Sequence, residues 1–204
     1  MNTLLIILIA SFIAAFISLY GAKWHLKRYG FSFSDPIALL HVAIYSLAIS
    51  SLMAKSLGVY SSLTVVIIFS FIMTISIVDT LSTLMPKQLT FGLILVVFLT
   101  SALNGNDNSF NAVCVGMLST ILVWEVIYNF LNMRKKGSLG KGDVYFMAGI
   151  GGWLGFTNSL YASLIGLILF TASLMTLRVS NVRLEGAPLG PFLSIGAIVT
   201  YCML

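Results

Sequence analysis

An all-α fold, a polytopic bundle of about eight transmembrane helices, is what this sequence predicts, and three observations carry the prediction. Of its 204 residues, 59% are hydrophobic and only 8% are charged, against roughly 25% charged in an average soluble domain. The apolar residues fall into eight runs, at about 3–20, 37–54, 62–78, 89–103, 111–131, 144–157, 159–177 and 188–204. Most approach the ~20 residues a helix needs to cross a bilayer. Third, the basic residues sit almost wholly in alternate connections.

Each element has its own reason. The first run has no basic stretch before it, and its charges follow it, so it reads as a span and not as a secretory signal. The connection at about 21–36 carries Lys23, Lys27 and Arg28, and ends in Asp35-Pro36, which suits the cap of a second helix. His41 in that helix is a packing or hydrogen-bonding residue, with no second ligand at metal spacing. The third run closes on Asp79, and the connection at about 79–88 holds Lys87. After the fourth run, Asn104-Gly105-Asn106-Asp107-Asn108 is a turn-rich external connection. The fifth run contains Glu125, and the connection at about 132–143 holds Arg134, Lys135, Lys136 and Lys141. The sixth is short and rich in glycine (Gly149, Gly151, Gly152, Gly155). Short helices are tolerated where protein surrounds them, and small residues let helices approach. If this run is re-entrant, the count is seven. Arg178 and Arg183 lie at about 178–187, and Pro188 and Pro191 start the last run.

Ten of the eleven basic residues lie in the odd-numbered connections, with Lys55 alone in the even set. The positive-inside rule makes the odd connections cytoplasmic and, with eight spans, both termini periplasmic. The net charge of +5 is then topological, with lipid headgroups as contacts and no nucleic acid implied. No large extramembrane segment interrupts the runs, so residues 1–204 read as a single membrane domain. Lys135-Lys136 reads as a topology anchor. Cys114 and Cys202 lie in apolar runs as small hydrophobes, and there is no Cys-x-x-Cys pair. Trp24, Trp124 and Trp153 are candidates for the interfacial belt.

Only six acids are present: Asp35, Asp79, Asp107, Glu125, Asp143 and Glu185. Asp35 and Asp107 are loop residues. Asp79 and Asp143 fall, on the charge-derived topology, at the same depth on the cytoplasmic side. As structural residues they would be helix-terminal polar groups. Asp143 near a helix N-terminus interacts well with the dipole, but an anion at a helix C-terminus, as at Asp79, does not. That asymmetry favours a functional pair. Two carboxylates in close approach share a proton, so one can take a proton from water while the other activates a carbonyl. This is peptide hydrolysis by an aspartic dyad, needing no metal and no cofactor. The glycines of Gly137-Ser138-Leu139-Gly140-Lys141-Gly142 would let backbone approach an extended substrate. Glu125 is an acid inside a span and so a functional candidate, able to hold a substrate amine or bond near the dyad. Its structural alternative is a protonated side chain paired with Tyr128 or a nearby helix.

Gly140-Lys141-Gly142-Asp143 is a Gly-x-Gly-Asp motif. The run from Gly140 through Val144-Tyr145-Phe146-Met147-Ala148-Gly149-Ile150-Gly151-Gly152-Trp153-Leu154-Gly155 resembles the type IV prepilin peptidases, which are membrane aspartyl proteases. Asp79 followed by Pro86, Leu89 and Thr90 is similar to the segment around that family's first aspartate. Pro188-Leu189-Gly190-Pro191-Phe192-Leu193 is similar to the start of its last helix. The resemblance implies a bacterial inner-membrane enzyme with its active site facing the cytoplasm. Its catalytic residues would be Asp79 and Asp143, supported by Gly140, Gly142 and Pro86. It would remove the basic leader from prepilins or pseudopilins after a glycine, for a type IV pilus or type II secretion. Many members also methylate the new N-terminus with S-adenosylmethionine. The long first cytoplasmic region with its paired Cys-x-x-Cys zinc ligands is missing between Gly21 and Pro36, so the chain resembles the short forms. Tyr145 stands where the family commonly has lysine.

Two other classes fit the composition. A transporter or assembly scaffold would be non-catalytic, although transporters place ionisable groups near the midplane. A presenilin-like intramembrane protease shares the Gly-x-Gly-Asp idea but cuts within its substrate's span.

Overall fold

A computed structural model of the chain describes residues 2–53, 59–103, 107–134, 139–179 and 187–204. All regular structure among these residues is α-helical: α1 (Asn2–Arg28), α2 (Asp35–Met53), α3 (Val59–Ser82), α4 (Lys87–Leu103), α5 (Asp107–Arg134), α6 (Lys141–Leu154), α7 (Phe156–Val179) and α8 (Gly190–Met203). Lys55, Asn104-Gly105-Asn106, Lys135, Lys136, Gly137, Ser138, Arg183 and Glu185 lie outside the described residues. Each helix forms on one of the apolar runs. Among the described residues, three helices are long and apolar enough to cross a membrane, within Leu63–Ser82, Phe110–Met133 and Phe156–Thr176.

The α3 helix is the axis of the bundle, packed by α1, α2, α4 and α8. Its residues from Ile72 to Asp79 are buried without exception. Around α6 lie α4, α5, α7 and α8. There is no backbone packing of α3 on α6; they face each other across α4 and α8, which touch both. The outer helices turn apolar stripes away from the protein at helical spacing: Phe12, Phe16 and Tyr20 on α1, Val115, Leu118, Leu122 and Val126 on α5, Tyr161, Leu164 and Ile168 on α7. Apolar residues on both faces of a helix are the mark of a lipid environment.

At 14 residues, α6 is about 21 Å long at 1.5 Å per residue. Eleven of those residues are buried, so protein and not lipid encloses this short helix. Glycines make that possible. A Cβ on Gly151 would strike the Thr120 side chain on α5, and one on Gly149 would come within 2.9 Å of Leu93 on α4. The helix stops at Gly155, whose φ of 81° suits glycine, and α7 begins at the next residue. The apolar run to residue 157 is therefore two helices meeting there. On α8, a Cβ on Gly196 would strike the Ala162 carbonyl of α7, which fixes those helices in close contact.

Two of the three tryptophans are not belt residues. Trp124 is fully buried, and its Nε1–H donates to Ser163 Oγ at 3.2 Å. Trp153 stacks on Tyr201 with centroids 4.6 Å apart, and Phe69 meets both rings edge-on. Trp24 alone is exposed, under the Arg28 guanidinium at 5.3 Å. Neither cysteine forms a disulfide. Asp35 is the first residue of α2, and the first helical bond, from the Ala38 N–H, goes to the Ser34 carbonyl. The acid therefore complements the helix dipole from inside the first turn.

Candidate active site

Asp79 lies in the last turn of α3 and is 4% exposed; Asp143 lies in the first turn of α6 and is 9% exposed. Sequence reasoning left Asp79 with an unfavourable dipole. The structure supplies a favourable one from elsewhere: Asp79 Oδ2 accepts the Gly190 N–H, at the first residue of α8, at 2.7 Å. A helix N-terminus carries free N–H groups and partial positive charge. Asp143 is held in a similar way by its own helix. Its Oδ2 accepts the Gly140 N–H at 3.1 Å, while its own N–H donates to the Gly140 carbonyl at 3.2 Å. Each carboxylate thus rests on a glycine amide at a helix start, and the two are close enough for the charge on Asp79 to act on Asp143. A buried pair of like charges is the arrangement in which one proton is shared.

The turn between α3 and α4 completes the site. Thr83 has a φ of 52°, rare for a β-branched residue, and its N–H donates to the Asp79 carbonyl at 2.7 Å. The turn is braced by Ser82, whose hydroxyl donates to the Val78 carbonyl at 2.7 Å. Pro86 follows, buried, and its carbonyl takes the Leu89 and Thr90 N–H groups that open α4. Between these lies Met85. A Cβ on Gly142 would come within 2.6 Å of Met85 Cβ, and one on Gly190 within 2.7 Å of Met85 Cε and 2.8 Å of Asp79 Oδ2. Met85 is therefore the wedge between the two helix starts that hold the acids. The sequence offered no signal for it beyond its place before Pro86. Gly190 was marked by its position between two prolines, but its hydrogen bond to Asp79, 111 positions away, was not legible.

Glu125 does not reach the dyad. Its Oε1 accepts from Lys141 Nζ at 2.9 Å, and that ammonium also lies 4.9 Å from the Tyr128 ring centroid. The partner is the variable residue of the Gly-x-Gly-Asp motif, not Tyr128 itself. Two turns further along α5, Asn132 Nδ2 donates to the Leu139 carbonyl at 3.2 Å. Two side chains of α5 therefore grip the stretch leading into α6. His41 bonds the Ile37 carbonyl through Nδ1 at 2.8 Å and Thr80 Oγ1 through Nε2 at 3.1 Å. It ties α2 to the residue after Asp79. Tyr145 packs on Phe91, centroids 5.0 Å apart.

The sequence profile of the type IV leader peptidase family matches residues 66–176, more than half of the chain. The chain belongs to the type IV leader peptidase family. The match spans Asp79, Pro86, Glu125 and the Gly-x-Gly-Asp motif, but stops before α8. Among similar proteins, the prepilin leader peptidase/N-methyltransferase of Aeromonas hydrophila is 27% identical over 164 residues, 78% of this chain and 55% of the relative. That of Pectobacterium carotovorum subsp. carotovorum is 32% identical over 141 residues, 65% of this chain and 48% of the relative. That of Escherichia coli (strain K12) is 23% identical over 184 residues, 86% and 77% respectively. The chain thus spans about half the length of most of the curated relatives it matches. No solved structure matches it. Family membership thus goes with a fold whose described residues form only α-helices, several of them strongly apolar.

Proposed function

We propose that the chain is an aspartic endopeptidase of the bacterial inner membrane that removes the basic leader from type IV prepilins or pseudopilins after a glycine. The observation that carries this reading is the pair Asp79 and Asp143: both buried, each anchored on a helix-start amide, and close enough to interact. In the reaction, the ionised member takes a proton from water. The water oxygen bonds to the carbonyl carbon, and the protonated member gives its proton to the carbonyl oxygen. The dyad then gives a proton to the leaving nitrogen while a hydroxyl of the tetrahedral intermediate passes its proton to the dyad; the C–N bond breaks, and one shared proton remains. The pair titrates as a unit, so the two roles belong to the dyad and not to fixed residues. Gly140, Gly142 and Pro86 shape the backbone around it.

All eight helices cross the membrane in this reading, with both termini periplasmic and the dyad at the cytoplasmic face. The connections that meet at the dyad also carry most of the basic residues, as the positive-inside rule requires. A leader with positive charges stays in the cytosol, which places its cleavage point at this surface. The relatives' name adds an N-methyltransferase, for which S-adenosylmethionine would be the methyl donor. The mass of a processed pilin shows both activities at once: loss of the leader, and one methyl added to the new N-terminus.

The test is Asp79→Ala and Asp143→Ala, each assayed for leader removal from a co-expressed prepilin. Proton-transfer groups contribute ~10²–10⁴ in rate, so processing should become undetectable in both. Normal processing by either variant removes the dyad, and leaves a scaffold or transporter reading. Cleavage inside the pilin's apolar span, seen by mass, would favour a presenilin-like protease.

A further inference from the structure

Both acids are closed in, and one side chain reaches from beside the first to beside the second. Asp79 and Asp143 are buried, while Met85, in the connection between α3 and α4, is partly exposed. Its stem meets the start of α6. A Cβ on Gly142, the residue before Asp143, would come within 2.6 Å of both Met85 Cβ and the Met85 carbonyl oxygen. Its far end meets the start of α8. There a Cβ on Gly190 would lie 2.7 Å from Met85 Cε and 2.8 Å from Asp79 Oδ2 at once. The backbone on either side is fixed. Ser82 Oγ takes the Leu84 N–H at 3.3 Å, and the buried Pro86 accepts the first N–H groups of α4. Only the thioether end of Met85 is free to swing, as an unbranched side chain allows.

We propose that Met85 sets the size of the substrate residue just before the scissile bond, and is the reason that residue is a glycine. This rests on the peptidase reading and deepens it. The scissile carbonyl must come within hydrogen-bond reach of the carboxyls, so the peptide passes the side chain that reaches between them. The direction of the peptide follows from the topology. The leader stays in the cytosol, and the rest of the substrate runs toward the membrane. Asp79 lies in the last turn of α3, and Met85 follows the end of that helix, on the cytoplasmic side of the acids. The residue before the bond is then the one beside Met85, and the residue after it lies deeper. A Cβ on that residue meets a methionine whose stem is held against Gly142. The thioether end gives way to a small group more readily than to a large one. The preference is therefore graded, glycine over alanine and alanine over valine. One methyl group in a tight apolar site changes a rate by ~10–200-fold.

The test gives the intact chain, in detergent, a prepilin whose last leader residue is glycine, alanine or valine, and reads the ratio of cleavage rates. The parent chain should cut the glycine prepilin ~10–200-fold faster than the alanine one. Met85→Ala should lower that ratio about tenfold or more, and Met85→Leu, of similar bulk, should keep it. A side chain that served folding alone would slow both substrates together in Met85→Ala. An unchanged ratio therefore overturns the proposal, as does a parent chain that cuts both prepilins equally well. If Met85→Ala melts below the assay temperature, Met85→Val takes its place: it keeps bulk at the stem, loses the methyl end, and should lower the ratio too, with an unchanged ratio again overturning the proposal. A parent chain that cuts no prepilin overturns the peptidase reading, and this inference with it. A parent chain that cuts, with a ratio indifferent to Met85, overturns this inference alone.

Discussion

A single missing Cβ decides how Asp79 is held. At Gly190 a methyl group would come within 2.8 Å of the carboxylate oxygen and 2.7 Å of Met85 Cε, and methionine can yield where the carboxylate cannot. Gly190→Ala should therefore destabilise by about 1–3 kcal/mol, as overpacking does, and should cut leader removal far more than that loss explains. Melting temperature and cleavage rate on one preparation separate the two effects. The same bond gives a view of the dyad's protons. Activity needs one carboxyl protonated and one ionised. It should fall at low pH as both take protons and at high pH as both lose them, giving a bell-shaped profile. The amides of Gly190 and Gly140 each donate to one carboxylate, so both nitrogen shifts should follow the two titration steps of the pair. A flat profile across both limbs would contradict a shared proton. At this scale the sequence was legible in part. Both aspartates stood out because acids are scarce in an apolar chain. Their amide partners did not, because one lies on a helix far away in the chain.

Among the helices, α6 shows most clearly what patterning carries and what it hides. Its glycines announced a helix surrounded by protein. Its end did not show, because the residues after Gly155 are as apolar as those before, and only the positive φ marks the break. Glu125 was visible as an acid within a span, yet its partner was not. Lys141 is 16 residues away, on another helix, beyond the reach of any periodicity argument. The pair is partly exposed, with side chains 42% and 29% accessible, so it adds little stability. Its effect is positional: it sets Lys141 between Gly140 and Gly142, two residues before Asp143. Glu125→Gln should leave the melting temperature nearly unchanged and lower the cleavage rate about tenfold, within the ~10² that a 1 Å misplacement can cost. The charge swap Glu125→Lys with Lys141→Glu should recover part of that rate. Unchanged cleavage and methylation in Glu125→Gln would reduce the pair to a structural contact.

For the whole molecule, composition and charge distribution were enough to foresee an all-helical bundle, because lipid allows few other ways to satisfy backbone groups. The packing order was not foreseeable: nothing local says that α3 is the axis or that α5 and α7 are peripheral. Orientation rests on the basic residues and is open to direct test. Lys87→Cys, in a chain with Cys114 and Cys202 replaced, should react with a membrane-impermeant maleimide in broken cells and not in intact ones. Labelling in intact cells would invert the topology and put the dyad outside. One more consequence lies at the opposite end of the bundle. Phe69, Trp153 and Tyr201 are each ten or eleven residues from Asp79, Asp143 and Gly190, about 15 Å away along their helices, and their rings close together there. These packed rings close the bundle behind the two acids. A peptide that enters it must leave on the side from which it came, so turnover carries no charge across the bilayer. Its rate should be indifferent to the membrane voltage, and no ion gradient can drive it.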